Sequence, residues 1–227
     1  MVKENLQNVQ TRIAAAAKKV GRDPSSVRLV CVTKGITVEQ ILEAVGAGVQ
    51  EIGENRVQEA QAKQLAVGKN LRWHLIGHLQ RNKAKPAVSL FDWIHSVDSL
   101  ELIELLNQQA AGLKNPVNLL LQVNVSGEMT KSGCRPEEAG KLEQVLLTAK
   151  NLQLHGLMTM APYSENPESA RPFFRRLREL RDSLEKELRL SLPELSMGMS
   201  GDFETAIEEG ATMVRIGTAI FGERVNR

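Results

Sequence analysis

The sequence is poor in cysteine, in net charge and in long apolar runs, and each shortage excludes a class of protein. Two cysteines, Cys31 and Cys134, are too few for a disulfide-stabilised scaffold, and both are predicted to be reduced thiols. The 29 basic and 27 acidic residues leave a formal charge of +2, so no field strong enough to recruit nucleic acid is expected.

No apolar run approaches the roughly 20 residues that a membrane-spanning helix requires, so no membrane segment is predicted. Residues 1–7 lack the apolar centre of a signal peptide. Together with the reduced cysteines, these features predict a cytoplasmic protein. The 227 residues show no linker and no break in composition, which favours a single domain spanning residues 1–227.

What the chain does contain is a regular alternation of strand-like and helix-like segments. An apolar stripe through Leu6, Val9 and Ile13 predicts an opening helix. Eight apolar runs then predict strands that begin near Val27, Val49, Leu71, Phe91, Val117, Leu154, Pro193 and Thr212. Amphipathic segments separate them, one with a predicted capping pair of Asp98 and Glu101. The pattern predicts an α/β protein, a closed (β/α)₈ TIM barrel with an extra N-terminal helix, and a doubly wound open sheet is the alternative.

The active sites of such barrels lie at the carboxyl ends of the strands, so the residues at those ends are the site candidates. All but one of the predicted ends carry polar residues or glycine. In chain order the candidates are Lys34, Asn55, His78, Ser96, Asn124, Met160, Ser200, and Gly217 with Thr218. Met160 fits either the barrel core or a contact with a flat ligand.

Residues 27–35 form the first strongly apolar run, and a lysine lies at its end. Val30, Val32 and Lys34 share one strand face, so Lys34 is predicted to cap a column that points into the barrel. Burial favours the neutral amine over the ammonium ion, and a neutral amine is a nucleophile that condenses with an aldehyde. The alternative is a lysine that extends into solvent where the strand ends.

Arg215 is predicted to face the barrel interior, because Met213, Arg215 and Gly217 share one face of the eighth strand. A buried arginine is costly unless an acceptor meets it. That acceptor is either a carboxylate inside the barrel or a neutral atom such as a pyridine nitrogen. Gly217 lacks a Cβ, which leaves room for a ligand to approach the backbone.

Two segments near the end of the chain predict a phosphate-binding cup. Ser200 and Gly201 end the seventh strand, and residues 202–209 are predicted to form a short helix. The N–H groups at this helix start, the Ser200 hydroxyl and the backbone of Gly217 and Thr218 are expected to converge on one anion. The loops after strands seven and eight are the usual phosphate site of barrel enzymes. For either half alone, an ordinary glycine turn with a serine cap is the alternative.

A nucleophilic lysine together with a phosphate cup predicts pyridoxal phosphate as the cofactor. An alternative of another class is a barrel enzyme that binds a sugar phosphate and uses Lys34 as an aldolase-type Schiff-base lysine. No metal site is predicted, because His74 and His78 lie within or just past the strand of residues 73–77, where four residues span about 13 Å.

Several segments resemble the pyridoxal phosphate homeostasis protein family. They are Thr33-Lys34, Gly53-Glu54-Asn55, residues 73–83 (WHLIGHLQRNK), 156–160 (GLMTM), 197–200 (MGMS) and 214–222 (VRIGTAIFG). The resemblance covers nearly the whole chain, and the stretch 73–83 is highly specific. Arg56 is a departure, since the family often has an aromatic residue after Gly-Glu-Asn, and it affects the expected rim near Asn55.

The resemblance implies a single-domain barrel similar to the N-terminal half of bacterial alanine racemases. It also implies a Schiff base between the cofactor and Lys34, with Arg215 near the pyridine nitrogen. The residues implied around the phosphate are Ser200, Gly217 and Thr218, and those implied beside the ring are Asn55 and Met160.

The same resemblance implies a protein that binds and distributes the cofactor, with apo pyridoxal-phosphate enzymes as acceptors. An arginine partner leaves the ring nitrogen largely unprotonated, which weakens the ring as an electron sink. A two-base racemase of the resembled kind needs a tyrosine from a second domain across a dimer. Here the sequence ends soon after the eighth predicted strand, and its single tyrosine, Tyr163, is in a loop.

We therefore expect a vitamin B6 cofactor carrier without classical turnover, and an amino-acid racemase is the alternative. A monomer or weak dimer is expected, since no long exposed apolar stripe is evident in the sequence.

Overall fold

The computed structural model describes residues 1–68 and 70–223. Lys69 and residues 224–227, which belong to the predicted single domain, lie outside the described residues. Within the described ranges the strands are β1 (Arg28–Val32), β2 (Glu51–Glu54), β3 (Arg72–Leu75), β4 (Trp93–Val97), β5 (Val117–Gln122), β6 (Leu152–Met158), β7 (Glu194–Ser196) and β8 (Met213–Ile216).

Helices alternate with these strands. They are α1 (Val2–Lys19), α2 (Val38–Gly46), α3 (Val57–Val67), α4 (Ala84–Leu90), α5 (Leu100–Gln109), α6 (Pro136–Thr148), α7 (Arg171–Leu188), α8 (Phe203–Glu208) and α9 (Thr218–Phe221). Short 3₁₀ turns lie at Pro24–Ser26, Arg81–Lys83 and Pro167–Ala170. None of the described helices is both long and apolar enough to cross a membrane.

The strands form a closed parallel barrel in chain order, with β1 paired to β8. The predicted (β/α)₈ barrel is therefore confirmed, and the doubly wound open sheet is wrong. The extra N-terminal helix is α1, which packs beside α2, α8 and α9. Asn5 Nδ2 donates to Ile220 O at 3.0 Å, and Arg12 binds the Glu204 carboxylate with two nitrogens at 2.7 and 3.0 Å.

Each strand begins within two residues of its predicted start. The fourth begins at Trp93 rather than Phe91, because the Phe91 N–H still donates to Ala87 O and closes the last turn of α4. The predicted capping pair of Asp98 and Glu101 is wrong. Helix α5 begins after Ser99, and no side chain caps it.

The apolar core has two layers that follow strand parity. The larger layer lies between the strands and the surrounding helices, and it includes Cys31, Trp73 and Ile216. The smaller layer lies inside the barrel and consists of Val30, Trp93, Leu120, Met158 and Met213, with Met160 packed against it. Buried polar side chains share this interior, so the barrel is filled by both kinds of residue.

Candidate functional site

Lys34 lies in the turn after β1, half-buried at the carboxyl end of the barrel. The strand ends at Val32 rather than continuing to residue 35, as the apolar run predicted. The reason is a turn in which Ile36 N–H donates to Thr33 O at 2.9 Å and Gly35 takes a φ of +70°. Such a φ favours glycine, so this residue allows the chain to turn directly after the lysine.

Lys63, a buried lysine on α3, stabilises this turn through hydrogen bonds. Lys63 Nζ donates to Thr33 O at 2.6 Å, to Glu54 Oε1 at 2.7 Å and to Glu59 Oε1 at 2.6 Å. Glu54 Oε1 also accepts from Thr33 Oγ1 at 2.6 Å, and Glu59 Oε1 accepts from Gly35 N–H at 2.6 Å. We call Lys63, Glu54 and Glu59 the Lys63 clamp. It fixes both residues that flank Lys34.

Lys63 affects the pKa values of both carboxyl groups of the clamp. Burial raises the pKa of Glu54, and hydrogen bonds from Lys63 and Thr33 only partly oppose this. Burial also acts on Glu59, but bonds from Lys63 and from the Gly35 N–H outweigh it and hold the pKa of that carboxyl below its usual value. The clamp was not predicted from the sequence, because Glu59 and Lys63 have the i,i+4 spacing of an ordinary surface pair.

A cleft of about 1230 Å³ opens beside Lys34 and is lined by the segments after β1, β2 and β3. Asn55 and His78 line the same cleft as Lys34, so three of the predicted strand-end residues share one space, and Lys83 lies there as well. Gly77 is required here, since an added Cβ would lie 2.5 Å from Asn55 O. The backbone that carries Asn55 therefore lies close against Gly77, in the segment that follows β3.

The two halves of the predicted phosphate cup also come together. Ser200 Oγ accepts from the N–H groups of Gly217 and Ala219 at 3.3 and 3.2 Å. Gly201 is exposed, with open space where a Cβ would lie, and Thr218 is exposed at the start of α9. Ser200 thereby joins the loop after β7 to the start of α9, where Gly217 and Thr218 lie.

The cup lies beside the Lys34 turn because β1 and β8 are hydrogen-bonded neighbours. In their register Cys31 is opposite Ile216, so Lys34 and Gly217 both follow the ends of adjacent strands. Asp202 supports the loop, since its Oδ1 accepts from Met199 N–H at 2.6 Å.

Arg215 is buried inside the barrel, as strand parity predicted. Its Nη1 donates to Ser196 Oγ at 2.7 Å, and its Nη2 donates to Thr159 O at 2.8 Å. Burial lowers the pKa of the guanidinium to about 10, and the charge of Asp202 opposes that shift. The group stays charged at neutral pH, and its hydrogen-bond partners among the described residues are neutral oxygens rather than a carboxylate.

The remaining candidates have different positions. Met160 follows β6 and packs on the apolar residues inside the barrel. Ser96 is buried within β4, so it does not end the strand as predicted. Asn124 binds its own loop, with Oδ1 accepting from Gly127 N–H at 3.1 Å. Tyr163 is 93% exposed, in the loop after β6.

Three interior residues of the site were not predicted from the sequence. Ser196 joins Arg215 to His95, whose Nδ1 lies 2.9 Å from Ser196 Oγ, and His95 Nε2 lies 2.9 Å from His74 Nδ1. The alternation of side chains along each strand could have predicted that these three side chains face the barrel interior. Their contacts depend on the register between strands, which the sequence does not reveal.

The chain matches the family model for the alanine racemase N-terminal domain over residues 5–225. It is 46% identical over 224 residues to a pyridoxal phosphate homeostasis protein of Aquifex aeolicus, covering 97% of both chains. A protein of the same name from Pseudomonas aeruginosa is 45% identical over 224 residues, covering 98% of this chain and 96% of the other.

Solved structures agree with these relatives. PipY of Synechococcus elongatus, solved with pyridoxal phosphate bound, is 39% identical with a TM-score of 0.86, covering 98% of this chain and all of PipY. Alanine racemase of Clostridium difficile shares the fold at 16% identity and a TM-score of 0.76, and the match covers 98% of this chain and 58% of the racemase. The chain therefore belongs to the pyridoxal phosphate homeostasis protein family, as its sequence motifs indicated.

Proposed function

We propose that this protein binds pyridoxal 5′-phosphate as a Schiff base on Lys34 and acts in the homeostasis of that cofactor. The observation that carries the proposal is the position of Lys34, held by the Lys63 clamp between the cleft and the cup of N–H donors. The names of the relatives and the cofactor bound to PipY support the same conclusion.

The residues around Lys34 fit the chemical groups of the cofactor. On this proposal the cup formed by Ser200, Gly201, Gly217 and Thr218 binds the phosphate dianion with its hydroxyls and backbone N–H groups, of which the Gly217 N–H donates to Ser200 Oγ in this structure. On this proposal Arg215, Asn55 and Met160 surround the ring, with the guanidinium at the pyridine nitrogen. When bound, pyridoxal phosphate supplies an aldehyde that reacts with amines and a ring that withdraws electrons.

The chain offers less for turnover than for binding. Arg215 is charged and cannot give a proton to the ring nitrogen at neutral pH, which keeps the electron-withdrawing capacity of the ring low. Tyr163, which the racemase alternative would need as an acid or base, is almost fully exposed in its loop. The likeness to racemases is one of fold alone, so we propose a carrier that delivers the cofactor to apo enzymes and works as a monomer.

Incubation of the purified protein with pyridoxal phosphate is expected to give a visible absorption band that survives gel filtration. Mixing this holo protein with an apo pyridoxal-phosphate enzyme should restore the activity of that enzyme, while the band of the carrier declines. A protein with no such band would refute the proposed function. Formation of D-alanine from L-alanine at about 1 per second or faster would show that the protein is a racemase rather than a cofactor carrier.

Replacement of both Ser200 and Thr218 by alanine is expected to weaken cofactor retention without unfolding the barrel. Each substitution removes a hydroxyl available to a charged group, and together they should raise the dissociation constant by about tenfold or more. Equilibrium dialysis measures the change. Ser191→Ala, at an exposed site outside the cup, is the matched control. Unchanged affinity in the double variant would place the phosphate elsewhere.

A further inference from the structure

A line of buried side chains crosses the barrel interior from Arg215 to Glu51. Arg215 Nη1 lies 2.7 Å from Ser196 Oγ, which lies 2.9 Å from His95 Nδ1. His95 Nε2 lies 2.9 Å from His74 Nδ1, and His74 Nε2 lies 3.3 Å from Glu51 Oε2. We call these five residues the interior chain.

The last contact of the chain is its weakest. At 3.3 Å the His74–Glu51 contact is the longest, and in this geometry neither His74 Nε2 nor Glu51 Oε2 completes a hydrogen bond to the other or to any other described residue. Buried polar atoms in proteins are almost always hydrogen-bonded. We therefore assign these two atoms to each other as hydrogen-bonding partners.

The interior chain joins the two ends of the barrel. Glu51 opens β2 at its amino end, and Asn55 follows the carboxyl end of the same strand in the cleft. Four residues of strand separate them by about 13 Å. Arg215 lies toward the candidate site, so the chain links that site to a carboxylate at the opposite end.

Glu51 is held as an anion. Burial would raise the pKa of this carboxyl, but the bond and charge of His74 and the charges of Arg28 and Arg72 outweigh it and hold the pKa below its usual value. Arg72 Nη2 lies 2.7 Å from Glu51 Oε1, and Arg28 Nη1 lies 3.7 Å from it. One end of the interior chain can therefore only accept hydrogen bonds.

The other end can only donate, because a guanidinium has no acceptor atom. These two ends orient every bond between them. Ser196 accepts from Arg215 and turns its own hydrogen toward His95 Nδ1. His95 then carries its proton on Nε2 and donates it to His74 Nδ1. His74 likewise carries its proton on Nε2 and donates to Glu51. Only this arrangement of neutral rings uses every atom of the chain.

The surroundings of both rings favour this neutral state. Burial lowers the pKa of His74 against the opposing influence of Glu51 and Asp92, and the charge of Arg28 lowers it further. Burial likewise lowers the pKa of His95 well below its usual value, and the positive charges of Arg215 and Arg28 act in the same direction.

Trp93 encloses the rings. Its indole is stacked on the His74 ring, with centroids 6.0 Å apart and planes within 6°, and the Arg28 guanidinium lies 4.9 Å from the Trp93 centroid. The rings are thereby shielded from water at the amino end of the barrel.

We propose that His74 and His95 are positioning residues, which hold Arg215 against the ring nitrogen of the bound cofactor through one directed hydrogen-bond chain anchored at Glu51. The inference rests on the proposed function, since it names what Arg215 faces. A serine hydroxyl on its own rotates freely. With its hydrogen committed to His95, the Ser196 oxygen presents a lone pair to Arg215, and Thr159 O fixes the second nitrogen of the guanidinium.

The first test needs no cofactor. Nitrogen NMR of the protein labelled with ¹⁵N-histidine reports which ring nitrogen carries the proton, and His74→Asn and His95→Asn variants assign the signals. Both rings are expected to be neutral with the proton on Nε2 between about pH 6 and pH 8. A proton on Nδ1 of either ring, or an imidazolium signal from either, would overturn the directed chain. The signals themselves come from the unmodified protein, and the two variants serve only to assign them.

The second test measures the effect at the cofactor. We expect Ser196→Ala to raise the dissociation constant of pyridoxal phosphate about tenfold, because a buried guanidinium N–H loses its acceptor. Glu51→Gln removes the anion but keeps the shape, so it should let both histidines populate the Nδ1–H form. The signal of ¹⁵N in the cofactor ring should shift in both variants, in the same direction.

His155→Gln is the matched control. His155 also contacts Trp93, with centroids 4.8 Å apart, and bonds Asn118 at 2.8 Å, but it lies outside the interior chain. Its replacement should leave the ring-nitrogen signal unchanged. A ring-nitrogen signal that is the same in Glu51→Gln, Ser196→Ala and the unmodified protein would refute the positioning role. Absence of bound cofactor in the unmodified protein would instead refute the proposed function, while the histidine signals would still test the direction of the chain.

Discussion

Replacement of Lys34 by alanine is expected to abolish covalent attachment of pyridoxal phosphate. The visible absorption band should disappear, and borohydride reduction followed by peptide mass analysis should find no modified residue in the cleft. The barrel should keep its stability within about 0.5 kcal/mol, because the side chain is half exposed and the clamp holds the turn through other residues. In the unmodified protein the same analysis should place the cofactor on Lys34.

Lys83→Ala is the matched control, because Lys83 lines the same cleft. This variant should keep the band and the modification of Lys34. A reduced cofactor found on Lys83 in the unmodified protein would show that the cleft holds the aldehyde at a different lysine.

Replacement of Lys63 by methionine should reduce the free energy of unfolding by about 3–5 kcal/mol, the usual cost of leaving a buried charge without its partner. Lys63 is 7% exposed, and its ammonium group joins Glu54, Glu59 and the Thr33 carbonyl. Denaturant unfolding of the unliganded protein measures the loss. Cofactor affinity should fall as well, since the Thr33 carbonyl loses its donor and Glu59, which accepts from the Gly35 N–H, loses its cation.

The double variant Lys63→Met with Glu54→Gln separates charge from packing. The amide that replaces the Glu54 carboxylate cannot be ionised, so the double variant should recover part of the lost stability relative to Lys63→Met alone. Equal stability of the single and double variants would show that the uncompensated carboxylate is not the source of the loss.

The barrel was predictable from the sequence because strands and helices alternate with a regular period. Side chains alternate between the two faces of a strand, and this alternation can be read from neighbouring residues. It therefore also predicted that Val30, Met213 and Arg215 face the barrel interior. The end of β1 was harder to predict. The apolar run continues to residue 35, and the turn depends on a bond from Ile36 to Thr33 that the run does not reveal.

The candidate site was predicted only in part, since contacts between elements depend on register. Sequence alone marked Ser200 and Gly217 as residues of one cup, and the structure brings them into hydrogen-bond contact. The sequence did not indicate that His95 on β4 and Ser196 on β7 are in contact inside the barrel, because the two residues are 101 positions apart. Lys63 was missed as well, because two of its three partners belong to other elements: Thr33 follows β1, and Glu54 ends β2.

The position of the two tryptophans gives the protein a built-in optical reporter. Trp73 is fully buried, and Trp93 is buried beside His74 and His155, so neither indole emits from a watery environment. A chromophore that absorbs near the emission of tryptophan quenches it by energy transfer when it binds within the same barrel. Loading and release of such a ligand are therefore measurable from intrinsic fluorescence, without a label and without a coupled assay.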